Sequence, residues 1–117
     1  MRIRDEGFNM DNFGLNEMFE MQKTMQEKYK DIWNGISVET GKNQLLWMIG
    51  EIGEVIDIIK KNGGEKASQD PKLRKELIEE LVDVLMYYND VLLCYDISAS
   101  ELKDAYIAKF EKNMKRW

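Results

Sequence analysis

From Asn12 to Trp33 the apolar residues Leu15, Met18, Phe19, Met25, Tyr29 and Ile32 recur at the spacing that gathers side chains on one face of a helix. The methionines in this stripe read as core material, because unbranched thioethers fill irregular gaps between helices. Gly35 breaks the pattern. A second periodic run extends from Val38 to Lys61 and stops at Asn62-Gly63-Gly64, with Lys60 and Lys61 in the last turn, where the helix dipole favours cations. The polar stretch from Gly63 to Asp70 predicts an exposed loop. Pro71 suits the first turn of a third helix reaching Tyr95, and Ser98-Ala99-Ser100-Glu101 has the form of a capping box that opens a fourth helix running to the C-terminus. No strand-like alternation or internal repeat occurs. The expectation is an all-α chain, bundle-like with four helices, in one domain over residues 12–117 behind a loosely ordered stretch at 1–11.

Plotted at roughly 100° per residue, the second helix gathers Leu45, Met48, Ile49, Ile52, Val55, Ile56 and Ile59 on one face, which predicts its core side. Glu51 and Glu54 fall on a neighbouring stripe shared with Trp47 and Ile58. The third helix repeats the arrangement. Leu77, Leu81, Val84, Leu85, Tyr88, Val91, Leu92 and Tyr95 form its apolar face, while Glu76, Glu80, Asp83 and Tyr87 line an adjacent stripe. The short connection makes these helices antiparallel neighbours. Should their acidic stripes face each other, Glu51, Glu54, Glu80 and Asp83 converge. Such a cluster repels itself and raises its own pKa values unless a cation joins it. Glutamate is also common on solvated helix faces, so pattern alone leaves that reading open.

Composition narrows the chemistry. The 117 residues contain no histidine and one cysteine, Cys94, whose apolar setting suits a small buried residue. Without histidine, Ser-His-Asp and Cys-His nucleophilic systems and His-based zinc sites are excluded, and an all-oxygen cluster favours Mg²⁺, with Mn²⁺ as a possible substitute. A net charge of −5 argues against binding a nucleic acid polymer. No apolar stretch approaches a membrane span, and the opening Met1-Arg2-Ile3-Arg4-Asp5-Glu6 lacks the form of a signal peptide, so a cytoplasmic protein is expected.

At the acidic residues the sequence resembles the all-alpha nucleoside triphosphate pyrophosphohydrolases of the MazG-like superfamily. Their hallmark is Glu-x-x-Glu on one helix and Glu-x-x-Asp on the next, matched by Glu51-Ile52-Gly53-Glu54 and by Glu80-Leu81-Val82-Asp83. Lys42-Asn43 looks like the entry to the first of these helices in some members, and Tyr106, Lys109, Asn113 and Arg116 resemble the closing segment whose basic residues and Asn approach phosphate. The resemblance implies cleavage of a (d)NTP between its α- and β-phosphates, giving (d)NMP and pyrophosphate in nucleotide pool cleaning. It also implies a homodimer or homotetramer.

In that scheme Glu51, Glu54, Glu80 and Asp83 hold the metal, and Glu51 or Glu54 takes a proton from the attacking water. Trp33, Asn43, Trp47, Tyr87, Lys109, Asn113 and Arg116 contact the nucleotide. Several of these assignments have plainer counterparts: Trp33 and Trp47 also suit ordinary packing, and Lys109 and Arg116 also suit a helix C-terminus. Two other classes stay open, a non-enzymatic helical interaction module and a hydrolase of phosphoribosyl-nucleotides.

Overall fold

A computed structural model describes residues 11–117, so most of the stretch expected to be loosely ordered, residues 1–10, lies outside the described residues. Among them are helices α1 (Leu15–Lys28), α2 (Val38–Asn62), α3 (Gly64–Gln69), α4 (Pro71–Cys94) and α5 (Ala99–Met114), and no strand. The all-α, bundle-like expectation holds, and the three long helices α2, α4 and α5 begin where their capping chemistry says. Ser37 Oγ accepts from the Thr40 N–H at 3.3 Å while Thr40 Oγ1 accepts from the Ser37 N–H at 3.0 Å. Asp70 Oδ2 accepts from the Leu73 N–H at 3.1 Å, with Pro71 at the first helical position. Ser98 and Glu101 form the expected reciprocal box, at 3.0 and 3.1 Å.

Two departures concern the connections. The segment expected as a loop after Gly63 is the short helix α3. Gly63, at φ +85°, ends α2 and redirects the chain, and Ala67 is then fully buried with α3 packed on both α2 and α4. One small apolar residue in a polar stretch has no periodicity to announce it. The first helix is also shorter than its apolar stripe, since Tyr29 ends α1 and the Ile32 and Trp33 N–H groups both donate to the Tyr29 carbonyl in a tight turn.

The principal packing unit is the antiparallel hairpin of α2 and α4. On α2 the buried and half-buried Gly41, Gln44, Met48, Glu51, Val55, Ile58 and Asn62 lie alternately three and four residues apart; on α4 Leu73, Leu77, Glu80, Val84, Tyr87, Val91 and Cys94 keep the same rhythm. This is the seam of two helices packed side by side. Its register is fixed at one end by Thr40 Oγ1 against Cys94 Sγ at 3.5 Å. Gly41 lies so near the Tyr95 ring that an added Cβ would meet it at 2.6 Å. Farther along, Trp47 and Tyr87 stand 6.3 Å apart between centroids. Cys94 is buried, as expected.

The apolar face assigned to α2 from its sequence is therefore corrected. Only Met48 and Val55 of that set belong to the seam; Leu45, Ile49, Ile52, Ile56 and Ile59 form a second row one position round the helix, and Ile49 is 60% exposed. On α4 Leu81, Leu85 and Tyr88 are exposed in the same way, with Tyr95 beyond them. The wheel merges two adjacent rows because both are apolar, and the polar Glu51 and Glu80 disguise the one that packs.

The remaining helices lie across this hairpin. α1 rests on α4, and α5 rests on α1 alone among the described helices. The radius of gyration is 16.5 Å, against ~13 Å for a compact chain of this size. No described helix is long and apolar enough to cross a membrane.

Candidate functional site

Glu51 and Glu80 occupy seam positions, where apolar side chains would ordinarily interlock. Their carboxylates and that of Asp83 each place an oxygen within 4.8 Å of the others. The α2–α4 register causes this: residue 51 of one helix lies opposite the 80–83 turn of its neighbour. Glu54, one turn along α2, is exposed and outside this close group; it lines a shallow depression with Glu76, Glu79 and Glu80. Of the four carboxylates expected to converge, three do, and the fourth flanks them.

Electrostatics mark the same place. The Glu80 carboxyl is held above its ordinary range, first by loss of solvation, then by a hydrogen bond with Glu51 and the charges of Asp83, Glu51 and Glu54. The Tyr87 hydroxyl is raised as well, chiefly by burial and then by Glu51, Asp90 and Asp83. It is thus a neutral donor at physiological pH. A divalent cation fits this donor set, because it would be met by carboxylate oxygens alone and would relieve their mutual repulsion.

Beside the carboxylates, α1, α2, α4 and the turn after α1 line a half-open cavity of about 500 Å³. Glu51 and Asp83 lie in its wall, together with Trp33, Trp47 and Tyr87. The cavity thus joins an anionic edge to partly exposed aromatic walls. Trp33 is held there by its own neighbour, the Tyr29 ring lying 4.7 Å away.

Other expected contacts are not assembled in the single chain. Asn43 is exposed on α2 and absent from the cavity wall. Lys109, Asn113 and Arg116 belong to α5 and the turn just past it, and α5 touches only α1, so they stand apart from the carboxylates. Asn113 Oδ1 is buried without a hydrogen-bond partner among the described residues, and the Arg116 guanidinium lies over the Trp117 ring at 4.9 Å.

The cavity also has a polar wall that the sequence reading passes over. Gln22 Nε2 and Gln26 Nε2 both donate to Asp90 Oδ1, at 2.7 and 3.0 Å, and Gln44 is buried nearby in the same wall. Burial raises the Asp90 carboxyl, and the two amide hydrogen bonds oppose that shift. One signal was available. Continuing the stripe of Glu80, Asp83 and Tyr87 by one turn reaches Asp90.

Comparison with known proteins agrees with this architecture. The family model for the MazG nucleotide pyrophosphohydrolase domain matches residues 39–116, which span α2 through α5 and include all four carboxylates. Among curated proteins and solved structures nothing matches.

Proposed function

The chain belongs to the MazG nucleotide pyrophosphohydrolase family, and from that premise we propose that it is a cytoplasmic, Mg²⁺-dependent enzyme converting a (d)NTP to (d)NMP and pyrophosphate in nucleotide pool cleaning. One observation carries this reading: the close carboxylates Glu51, Glu80 and Asp83 lie at the edge of a cavity walled by Trp33, Trp47 and Tyr87. A triphosphate needs its charge offset, and a nucleobase needs flat apolar faces. Those two demands meet here.

Glu51, Glu80 and Asp83, with Glu54 beside them, would hold Mg²⁺, for which Mn²⁺ could substitute. The cation supplies charge neutralisation for the triphosphate and acidifies water. Glu54 lies outside the close group and is the better placed of the first-motif pair to accept the proton of the attacking water, while Glu51 is committed to the seam. Tyr87, as a neutral phenol, donates a hydrogen bond to the sugar or the phosphate chain. The indole faces of Trp33 and Trp47 bind the base by stacking, worth ~1–3 kcal/mol each.

The catalytic domain in this proposal is residues 12–117, and the working unit is a symmetric homodimer or a tetramer built from it. Its support is the uncovered apolar row of α2 and α4, together with the exposed Tyr106, Ile107, Phe110 and Met114 of α5. Lys109, Asn113 and Arg116 meet phosphate in that assembly and not within one chain; Asn43 we keep as a contact at the entrance of α2. The test is a panel of dNTPs and NTPs with Mg²⁺, scoring pyrophosphate against orthophosphate. Pyrophosphate as the first product is expected; orthophosphate as the first product overturns the reading.

A further inference from the structure

We propose that the polar wall of the cavity selects a nucleobase bearing an exocyclic amino group over its keto counterpart. The inference rests on the nucleotide site proposed above and names the class of base it takes. Asp90 is 4% exposed, and its Oδ1 accepts from Gln22 Nε2 and from Gln26 Nε2. A carboxylate can only accept, so each glutamine must turn its NH₂ group toward it. For Gln26 that orientation leaves Oε1 buried with no hydrogen-bond partner among the described residues, and Gln44 Oε1 is buried without one there too. Gln26 and Gln44 are 8% and 3% exposed, and both line the cavity.

Because Asp90 orients the Gln26 amide, the unused capacity there is acceptor capacity, and Gln44 adds a second buried carbonyl oxygen. A buried acceptor without a donor carries the full cost of its lost solvation, and a ligand that brings an N–H removes that cost. Adenine and cytosine each carry an amino group where hypoxanthine and uracil carry a carbonyl. An amino group meets the orphaned oxygens with donors. A carbonyl in the same place sets oxygen against oxygen, and the single ring N–H beside it can serve one acceptor at most. Discrimination of this kind is steep, since a site built around hydrogen bonds penalises a ligand that cannot make them. Stacking by the indoles holds whichever base enters but does not tell amino from keto, because every base has a π-face.

The matched pairs dCTP with dUTP and dATP with dITP isolate the group in question. For whichever pair the enzyme uses better, kcat/KM for the amino member should exceed that for the keto member at least ~10-fold. Gln26→Met and Gln44→Met remove the orphaned oxygens at similar volume and should bring the ratio toward one. Pyrophosphate release at equal rates from both members, or a ratio unmoved by both substitutions, overturns this inference and leaves the hydrolase reading intact. Calorimetry with the α,β-imido analogues of dCTP and dUTP in Mg²⁺ separates the reverse case. Preferential binding of the dCTP analogue without turnover of any nucleotide would sustain the selectivity and sink the hydrolase. Equal binding of the two analogues, or none, overturns the selectivity.

Discussion

Asp90 is a carboxylate held among amides, and its surroundings give it a definite pH signature. Burial sets its folded pKa above the ordinary 3.8, so the folded chain takes up a proton there at a higher pH than the unfolded chain does. Folding then gains stability as pH falls through the raised value toward 3.8, and above it carries the cost of the buried charge. In Asp90→Asn the amide oxygen can still accept from Gln22 and Gln26 while the charge is gone. That variant should melt above the parent at pH 7, with the gap closing as pH falls toward 3.8. A gap constant across thermal melts from neutral to acid pH would mean that burial of the charge is not its origin. At the carboxylates, Asp83→Asn and Glu54→Gln should each lower turnover by ~100-fold or more with circular dichroism unchanged. Near-native activity in both would remove the proposed site. The acidic residues were legible because i, i+3 carboxylates beside apolar neighbours on two helices are conspicuous. Gln22, Gln26 and Gln44 were not, since glutamine is an ordinary helix former and only the folded chain shows that these three are buried.

At the scale of elements, chain ends and turns follow capping chemistry closely. Ser37, Asp70 and Ser98 start their helices at the residue their side chains dictate, and Ser98 with Glu101 could be read directly from the chain. The C-terminus of α4 is less expected. The Asp96 N–H donates to the Leu93 carbonyl and the Ile97 N–H to the Leu92 carbonyl, a Schellman closure with Asp96 at φ +54° where glycine is usual. Asp96→Gly should relieve the left-handed conformation and stabilise the fold by ~0.5–1 kcal/mol. An increase in the urea midpoint at constant slope is the reading that checks it; a decrease would show that Asp96 is favoured where it stands. α3 and the end of α1 escaped the sequence for a shared reason. Each is decided by tertiary packing or by a turn of a few residues, and neither repeats often enough to make a period.

For the whole molecule, the outer rows of α2 and α4 are the surface through which the proposed homodimer would form. Each row runs one position round from the seam, so both helices of the hairpin present exposed apolar side chains beside it. The sequence disclosed that both helices are apolar there, but not which row packs within the chain and which stays exposed on it. That distinction depends on Glu51 and Glu80 lying in the seam. If the homodimer forms through this face, Ile49→Glu or Ile56→Glu should reduce the mass in sedimentation equilibrium to the single chain's 13.8 kDa. A parent protein already at that mass would remove the proposed interface.

The two glutamates in the seam also divide the hairpin. On one side of them Val55, Ile58, Leu73 and Leu77 zip the helices toward α3; on the other Met48, Tyr87 and Cys94 close toward Gly41 and Tyr95. Between the two lies a layer where like charges oppose helix contact. The hairpin is then two cooperative blocks with a weak joint, and amide hydrogens near that joint should exchange by local opening well before the ends do. A cation seated between Glu51, Glu80 and Asp83 would weld the blocks into one. Hydrogen exchange around residues 48–55 and 80–87 should accordingly slow on adding Mg²⁺, so that the residues proposed to hold the cation also set the local stability of the hairpin.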